Sequence, residues 1–218
     1  MRFVNLHTHT IQTNGSLFVL NNRFGYDQKI DSTTPFSIGI HPWDIELLNP
    51  FSFKDFESLV MQPNCLAVGE CGLDKLISTA LETQKQLFEE QIRLAIQYKK
   101  PVIIHCVKAF NELIDICNPY LSAIPMIIHG FNKSEQLAKQ LIDKGFYLSL
   151  HHHILLKSDF DVQLLPLDKL FFETDDNPYL LIQDVYEAFA LKLNIELDVL
   201  KEKINRNFEL LFYDTNSR

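Results

Sequence analysis

Glycine is scarce in this chain, 7 of 218 residues, against an average usage near ~7%. None of G-x-G-x-x-G, the P-loop pattern or G-x-S-x-G occurs, so nucleotide-cradle and serine-hydrolase readings lose their main support. There are only four cysteines, Cys65, Cys71, Cys106 and Cys117, with neither C-x-x-C spacing nor the density of a disulfide scaffold, and they read as reduced thiols. Positive charge is in deficit. A net charge of -8 provides no chain-wide basic field for nucleic acid, and any polyanion would have to be held locally or through metal ions. No apolar run approaches the ~18 residues of a membrane span, and the stretch from Met1 to Thr10 reaches polar His7 too early for a signal peptide. A cytoplasmic protein with no membrane association and no obligate protein partner is expected.

Hydrophobic residues at 46% and charged residues at 22% match an ordinary globular core. No repeat, low-complexity tract or linker divides the chain, and one domain over residues 1–218 is the simplest reading. A short apolar run that stops at a histidine or acid recurs along it: FVNLHTH at 3–9, FSIGIH at 36–41, LAVGE at 66–70, VIIH at 102–105, MIIH at 126–129 and LFFETD at 170–175. Each reads as a buried parallel strand. FYLSL at 146–150 adds a seventh, and SLFVLNN at 16–22 could supply an eighth.

Helical patterns lie between the strands. A capping box, Thr79 to Glu82, predicts a helix carrying Leu81, Phe88, Ile92 and Ala95 or Ile96 that ends before Pro101. A second is predicted to start at Ser134 and stop at Gly145, and Val185 to Leu193 and Leu197 to Leu211 suggest a closing pair. The strand ends succeed one another at about the 30-residue length of a βα unit. Alternating elements with polar residues at strand C-termini imply an α/β protein, a TIM-like (β/α)8 barrel with its active site on that face.

His7 and His9, spaced i, i+2, leave one side of a strand and can grip a single cation. H-x-H alone is weak. It gains force because Glu70, His105, His129 and Asp175 take the equivalent position on four other strands. Imidazole nitrogen and carboxylate oxygen suit Zn, Mn or Fe, and a carboxylate can bridge two ions. Six ligands suit a metal pair, which would activate a shared water and make a protein nucleophile unnecessary. Cys106, beside His105, points oppositely on its strand and reads as a bystander.

Taken in order, H-x-H at His7 and His9, SIGIHPW at 37–43, VGECGLD at 68–74, QKQLFEEQIRLA at 84–95 before PVIIH, then IIHGF, ETD and NFELLF make the chain similar to the TatD-related metal-dependent DNases and hydrolases. The resemblance spans nearly the whole chain. It implies a phosphodiester hydrolase on a metallo-dependent hydrolase barrel with two divalent ions, Zn, Mg or Mn. On this basis His7, His9, Glu70 and Asp175 would hold one ion, with Glu70 bridging to a second held by His105 and His129. Glu70 and Asp175 carry the catalytic roles, Asp175 by orienting the attacking water, and His41 would contact the scissile phosphate. The partner would be DNA.

Departures from the family pattern bear on substrate rather than metal. The interval from His9 to His41 is short, which implies a shortened or missing helix near the N-terminus. Cys106 and Val107 follow PVIIH where a serine and arginine are usual, and ETD-x-P becomes ETDDNP. Lys108, Lys133 and Lys157 could rebuild a positive rim on the ligand face, or be solvated surface lysines. His151, His152 and His153 follow a strand, where alternation would turn His152 away from its neighbours. Trp43 and Phe131 lie just past ligand-bearing strands, where a ring could stack on a base or could belong to the core. A small phosphoester or amide is therefore the alternative substrate, a non-catalytic binding protein is a third reading, and a PHP-type phosphoesterase fits the motifs less well.

Overall fold

The structure is a computed structural model that describes residues 1–11, 15–24, 33–47 and 53–213. Eight strands pair in chain order: β1 (Val4–Thr8), β2 (Leu17–Arg23), β3 (Phe36–Gly39), β4 (Cys65–Asp74), β5 (Val102–Val107), β6 (Met126–Phe131), β7 (Tyr147–Leu150) and β8 (Leu170–Phe172). The pairs β1–β2, β3–β4, β4–β5 and β7–β8 are parallel. Among the described residues six α-helices accompany them: α1 (Phe53–Val60), α2 (Leu81–Gln97), α3 (Phe110–Cys117), α4 (Glu135–Asp143), α5 (Ile182–Leu193) and α6 (Leu197–Phe212). This is the strand order and α/β alternation of the expected (β/α)8 barrel. The shortened or missing helix expected near the N-terminus falls between β1 and β3, where residues 12–14 and 25–32 lie outside the described residues. Between β7 and β8 only short 3-10 turns occur.

The chain divides into two compact units. The first, Met1–Leu20 with Ile128–Arg218, contains the chain's two ends. Thr8 of β1 bridges Asp175, just past β8, through His9 N to Asp175 O at 3.0 Å and Asp175 N to His7 O at 3.1 Å. Behind this seam the buried Asn5 donates to Thr174 Oγ1 at 2.8 Å and accepts from Thr174 N at 3.0 Å. Tyr186 of α5 is fully buried, and its hydroxyl donates to Val4 O at 3.0 Å and accepts from Val4 N at 3.2 Å. Ser134 caps α4 by accepting from Leu137 N, and Gly145, at φ +108, follows its C-terminus as predicted.

The second unit, Asn21–Ile127, is built around β3, β4 and β5. Its strands approach so closely that a Cβ on Gly39 would stand 2.4 Å from Glu70 O, and one on Gly72 2.1 Å from His105 O. The glycines of SIGIH and VGECGLD are therefore packing requirements at the level of the site. The capping box does not form: α2 begins at Leu81 with Ala80 at its N-cap and no side-chain cap, and Thr79 Oγ1 donates to Glu46 at 3.2 Å. Two buried glutamines of α2 instead hold the strand ends. Gln91 accepts from Ile40 N at 2.7 Å and donates to Ile40 O at 3.2 Å, while Gln84 accepts from Asp74 N at 2.8 Å and donates to Asp74 O at 3.0 Å. A buried main chain that needs partners has received them from side chains.

Candidate metal centre

In the first unit, His7 on β1 is fully buried, and His9, just past the end of the strand, is exposed. Both imidazoles face Asp175, with His7 Nε2 at 3.6 Å and His9 Nε2 at 3.4 Å from Asp175 Oδ1. Asp175 adopts a left-handed conformation, φ +53, which aspartate tolerates better than most residues. The two main-chain hydrogen bonds across the seam hold it there. The His129 ring on β6 lies 4.3 Å from that of His7, and its Nδ1 is 3.6 Å from Glu173 Oε1. Two triads, His7–His9–Asp175 and His129–Glu173–Asp175, each bring their ligand atoms within 4.8 Å of one another.

In the second unit, Glu70 on β4 is buried and met from both sides, by His41 Nε2 at 3.2 Å and His105 Nδ1 at 2.9 Å, both to Oε1. These three residues form another triad of the same dimensions. Asn21, at the end of β2, donates to Glu70 Oε2 at 3.0 Å and accepts from Glu70 N at 3.2 Å, which fixes both carboxylate and backbone. Asp74 lies 3.6 Å from His105 Nε2 and accepts from the Trp43 indole at 2.8 Å. Burial acts to raise the Asp74 pKa, but hydrogen bonds from Trp43 and Leu76 N, with His105 beside it, carry it below the usual carboxylate range. Burial lowers the pKa of His41, and the carboxylate of Glu70 offsets only part of the effect. His41 Nδ1 accepts from Trp43 N at 3.2 Å, which leaves its proton on Nε2, toward Glu70.

The donor set fits divalent cations. Imidazoles grouped with carboxylates are the ligands of Zn and Mn, and the fully buried Glu173 keeps an oxygen, Oε2, with no hydrogen-bond partner among the described residues. A buried carboxylate oxygen left so is costly unless a cation or proton meets it.

All six expected ligands and His41 fall in these clusters. The sequence reading passed over four residues: Glu173, Asp74, Asn21 and Arg23. Glu173 belongs to the ETD motif yet follows the last residue of β8, so strand alternation gave no sign of its direction. Asn21 does carry a signal, a polar residue near the C-terminal end of an apolar strand, as at the other site positions. The guanidinium expected after PVIIH is missing there, but Arg23 at the end of β2 pairs with the buried Asp44 and lies over Trp43.

The structure separates the remaining candidates. Phe131 is 2% exposed and belongs to the core, whereas Trp43 is 57% exposed. Lys157 is no free rim cation, because its ammonium donates to the carbonyls of Asn132 and Lys133. Lys108 and Lys133 are exposed, just past β5 and β6. The histidine triplet does not alternate, since β7 stops at Leu150. His151 instead caps a 3-10 turn, accepting from His153 N at 3.2 Å, and the three rings cluster with centroids 4.2 to 4.5 Å apart. Cys106 is a buried bystander, and burial pushes the Cys65 thiol up to about 11.

Histidine and carboxylate clusters at the C-terminal ends of parallel strands define a metal-dependent hydrolase type of site on a (β/α)8 barrel. The family model described as TatD related DNase matches residues 8–213, and the chain belongs to that family. It is 34% identical over 164 residues to the 3'-5' ssDNA/RNA exonuclease TatD of Cronobacter turicensis, and 35% identical over 155 residues to that of Edwardsiella piscicida. These alignments cover 72% and 67% of this chain but only 62% and 59% of the relatives. Among solved structures, the TatD homologue YjjV from Escherichia coli superposes with a TM-score of 0.78 at 20% identity, covering 97% of this chain and 98% of that one. A TatD-family hydrolase from Entamoeba histolytica gives 0.77 at 16% identity, over 98% and 99%. Both show the fold.

Proposed function

We propose that this protein is a metal-dependent hydrolase that cuts phosphodiester bonds in nucleic acid, its 218 residues acting as one domain in the cytoplasm. The observation that carries the reading is the His–carboxylate triad in each unit, at the strand ends, in a chain of the TatD-related DNase family. The exonuclease activity named for the relatives extends the proposal to single-stranded DNA or RNA ends. Among the described residues no helix is long and apolar enough to cross a membrane.

In the first unit His7, His9 and Asp175 would hold one divalent ion, with His129 beside them, and in the second unit Glu70 and His105 would hold another. Such a pair, when bound, supplies Lewis acidity and a hydroxide-like water at neutral pH. The protein's own groups do the rest. Asp175 accepts a proton from the attacking water and keeps it oriented, steadied by the seam between β1 and the segment after β8. Asn21 holds the Glu70 carboxylate in one rotamer. His41, whose Nδ1 is taken by Trp43 N, holds its Nε2 proton beside Glu70, where a phosphate oxygen would compete for it. Lys108 and Lys133 contribute positive charge to the strand's backbone.

The test is hydrolysis of end-labelled single-stranded oligonucleotides. Chelation should abolish it and Mg, Mn or Zn should restore it; Asp175→Asn and Glu70→Gln should each lose at least about 100-fold in kcat. Cleavage indifferent to chelator and to both substitutions removes the proposal. A small phosphoester is the second reading, favoured by the net charge of -8 and by Cys106 and Val107 standing after His105. Chromogenic monoesters and diesters run beside the oligonucleotides separate the two.

A further inference from the structure

Trp43 is the chain's single tryptophan, and it stands largely in solvent beside a buried cluster of polar residues. A large apolar ring at 57% exposure could be a mobile surface residue, but this one is fixed on several sides. Its indole N–H donates to Asp74, which is itself buried, at 2.8 Å, and its main-chain N–H donates to His41 Nδ1. The His41 ring meets it edge-on at 5.0 Å, and the His105 ring stands 6.2 Å away. The Arg23 guanidinium lies 5.8 Å from its centroid, within cation–π range, and is held there by the buried carboxylate of Asp44. An aromatic side chain kept outside the core, with its polar edge anchored and its rotamer fixed, is pre-organised to receive another flat surface.

We propose that Trp43 is a stacking platform for an unpaired nucleobase of the strand being hydrolysed, received on the ring face that the Arg23 guanidinium does not cover. This rests on the nuclease reading above and adds to it a contact with one base of the strand. The spacing is suitable: nucleotides in a stacked strand rise about 3.4 Å each. A ring 5.0 and 6.2 Å from the two histidines flanking Glu70 therefore lies within one or two nucleotides of a phosphate held there. Stacking reads no base edges, so every base is accepted.

The single tryptophan makes the proposal directly measurable. With chelator present to stop turnover, a short single-stranded oligonucleotide should quench the protein's tryptophan emission, while an abasic oligonucleotide of the same length and charge should not. With Mn present, the wild-type protein should prefer a base-bearing terminal nucleotide to an abasic one by about 5- to 150-fold in kcat/KM, the value of one base stack. That ratio should collapse toward one in Trp43→Ala and persist in Trp43→Phe, which keeps a ring but loses the bond to Asp74. Because the ratio compares two substrates on one variant, a general loss from disturbing Asp74 or His41 cancels. Hydrolysis of oligonucleotides without quenching, or with an unchanged ratio in Trp43→Ala, overturns the platform and leaves the nuclease standing. A protein that neither binds nor hydrolyses oligonucleotides overturns both.

Discussion

Replacing Asn21 by alanine should weaken metal binding without touching a ligand. The side chain makes two hydrogen bonds to one residue, donating to Glu70 Oε2 at 3.0 Å and accepting from Glu70 N at 3.2 Å, and both partners are buried. The first is a bond to an ionised group, in a class worth about 1.5–3 kcal/mol. The second serves a main-chain donor whose abandonment inside the protein costs about 1–3 kcal/mol. Part of the first contribution returns, since an unclamped carboxylate can rotate toward His41 and His105. The net expectation is a loss of about 2–4 kcal/mol in stability of the metal-free protein, or about 4–16 °C in Tm for a chain of this size. Metal affinity should fall about 10- to 100-fold, as is usual when the residue orienting a ligand is removed. Isothermal titration of the apo-protein with Zn or Mn, beside a thermal melt, reads both. Asn21→Asp should melt lower still without metal, because it sets a second carboxylate against Glu70. An Asn21→Ala protein with unchanged affinity and an unchanged melt would refute the clamp.

Gln91→Leu keeps the volume of the α2 residue but strips both main-chain partners from Ile40. A loss of about 2–4 kcal/mol is expected by urea denaturation, with a larger fall in kcat than in KM because His41 is the next residue. Gly72→Ala places a methyl group 2.1 Å from His105 O at a backbone φ of +145, and we expect insoluble or unfolded protein by circular dichroism; a soluble variant with wild-type metal content would contradict the packing argument. The lowered pKa of His41 has a definite sign. The unfolded chain takes up a proton near the ordinary value of 6.5 while the folded chain still holds His41 neutral, so stability of the apo-protein falls as pH drops from 6.5 toward the folded value and levels off below it. His41→Gln should flatten the urea midpoint against pH across that window, and an unaltered profile would count against the assignment.

Much of the fold and most of the candidate ligands were legible because two short periodicities carry them. A strand exposes alternate residues, so H-x-H states that His7 and His9 share a side before any tertiary contact is known. Apolar runs that break off at an acid or histidine about every 30 residues announce strand ends on one face. Local chemistry likewise identified the Ser134 cap and the Gly145 stop of α4. It failed at Thr79, where a matching motif was outweighed by a distant glutamate and by Gln84, which took over the carbonyls of Thr79 and Asp74.

Tertiary structure alone decided the residues that hold the candidate ligands in place. Asn21 meets Glu70 across 49 positions of sequence, and Asn5 meets Thr174 across 169. No periodicity encodes such a pairing, because hydrogen-bond satisfaction of a buried group depends on what folding brings beside it. The same holds for Phe131 and Trp43. Both are aromatic residues placed just past segments that carry candidate ligands, yet Phe131 is buried and Trp43 exposed, a difference that spacing does not encode. Residue type and spacing determined what chemistry the chain can offer; the close approach of its strands determined which side chains are free to offer it.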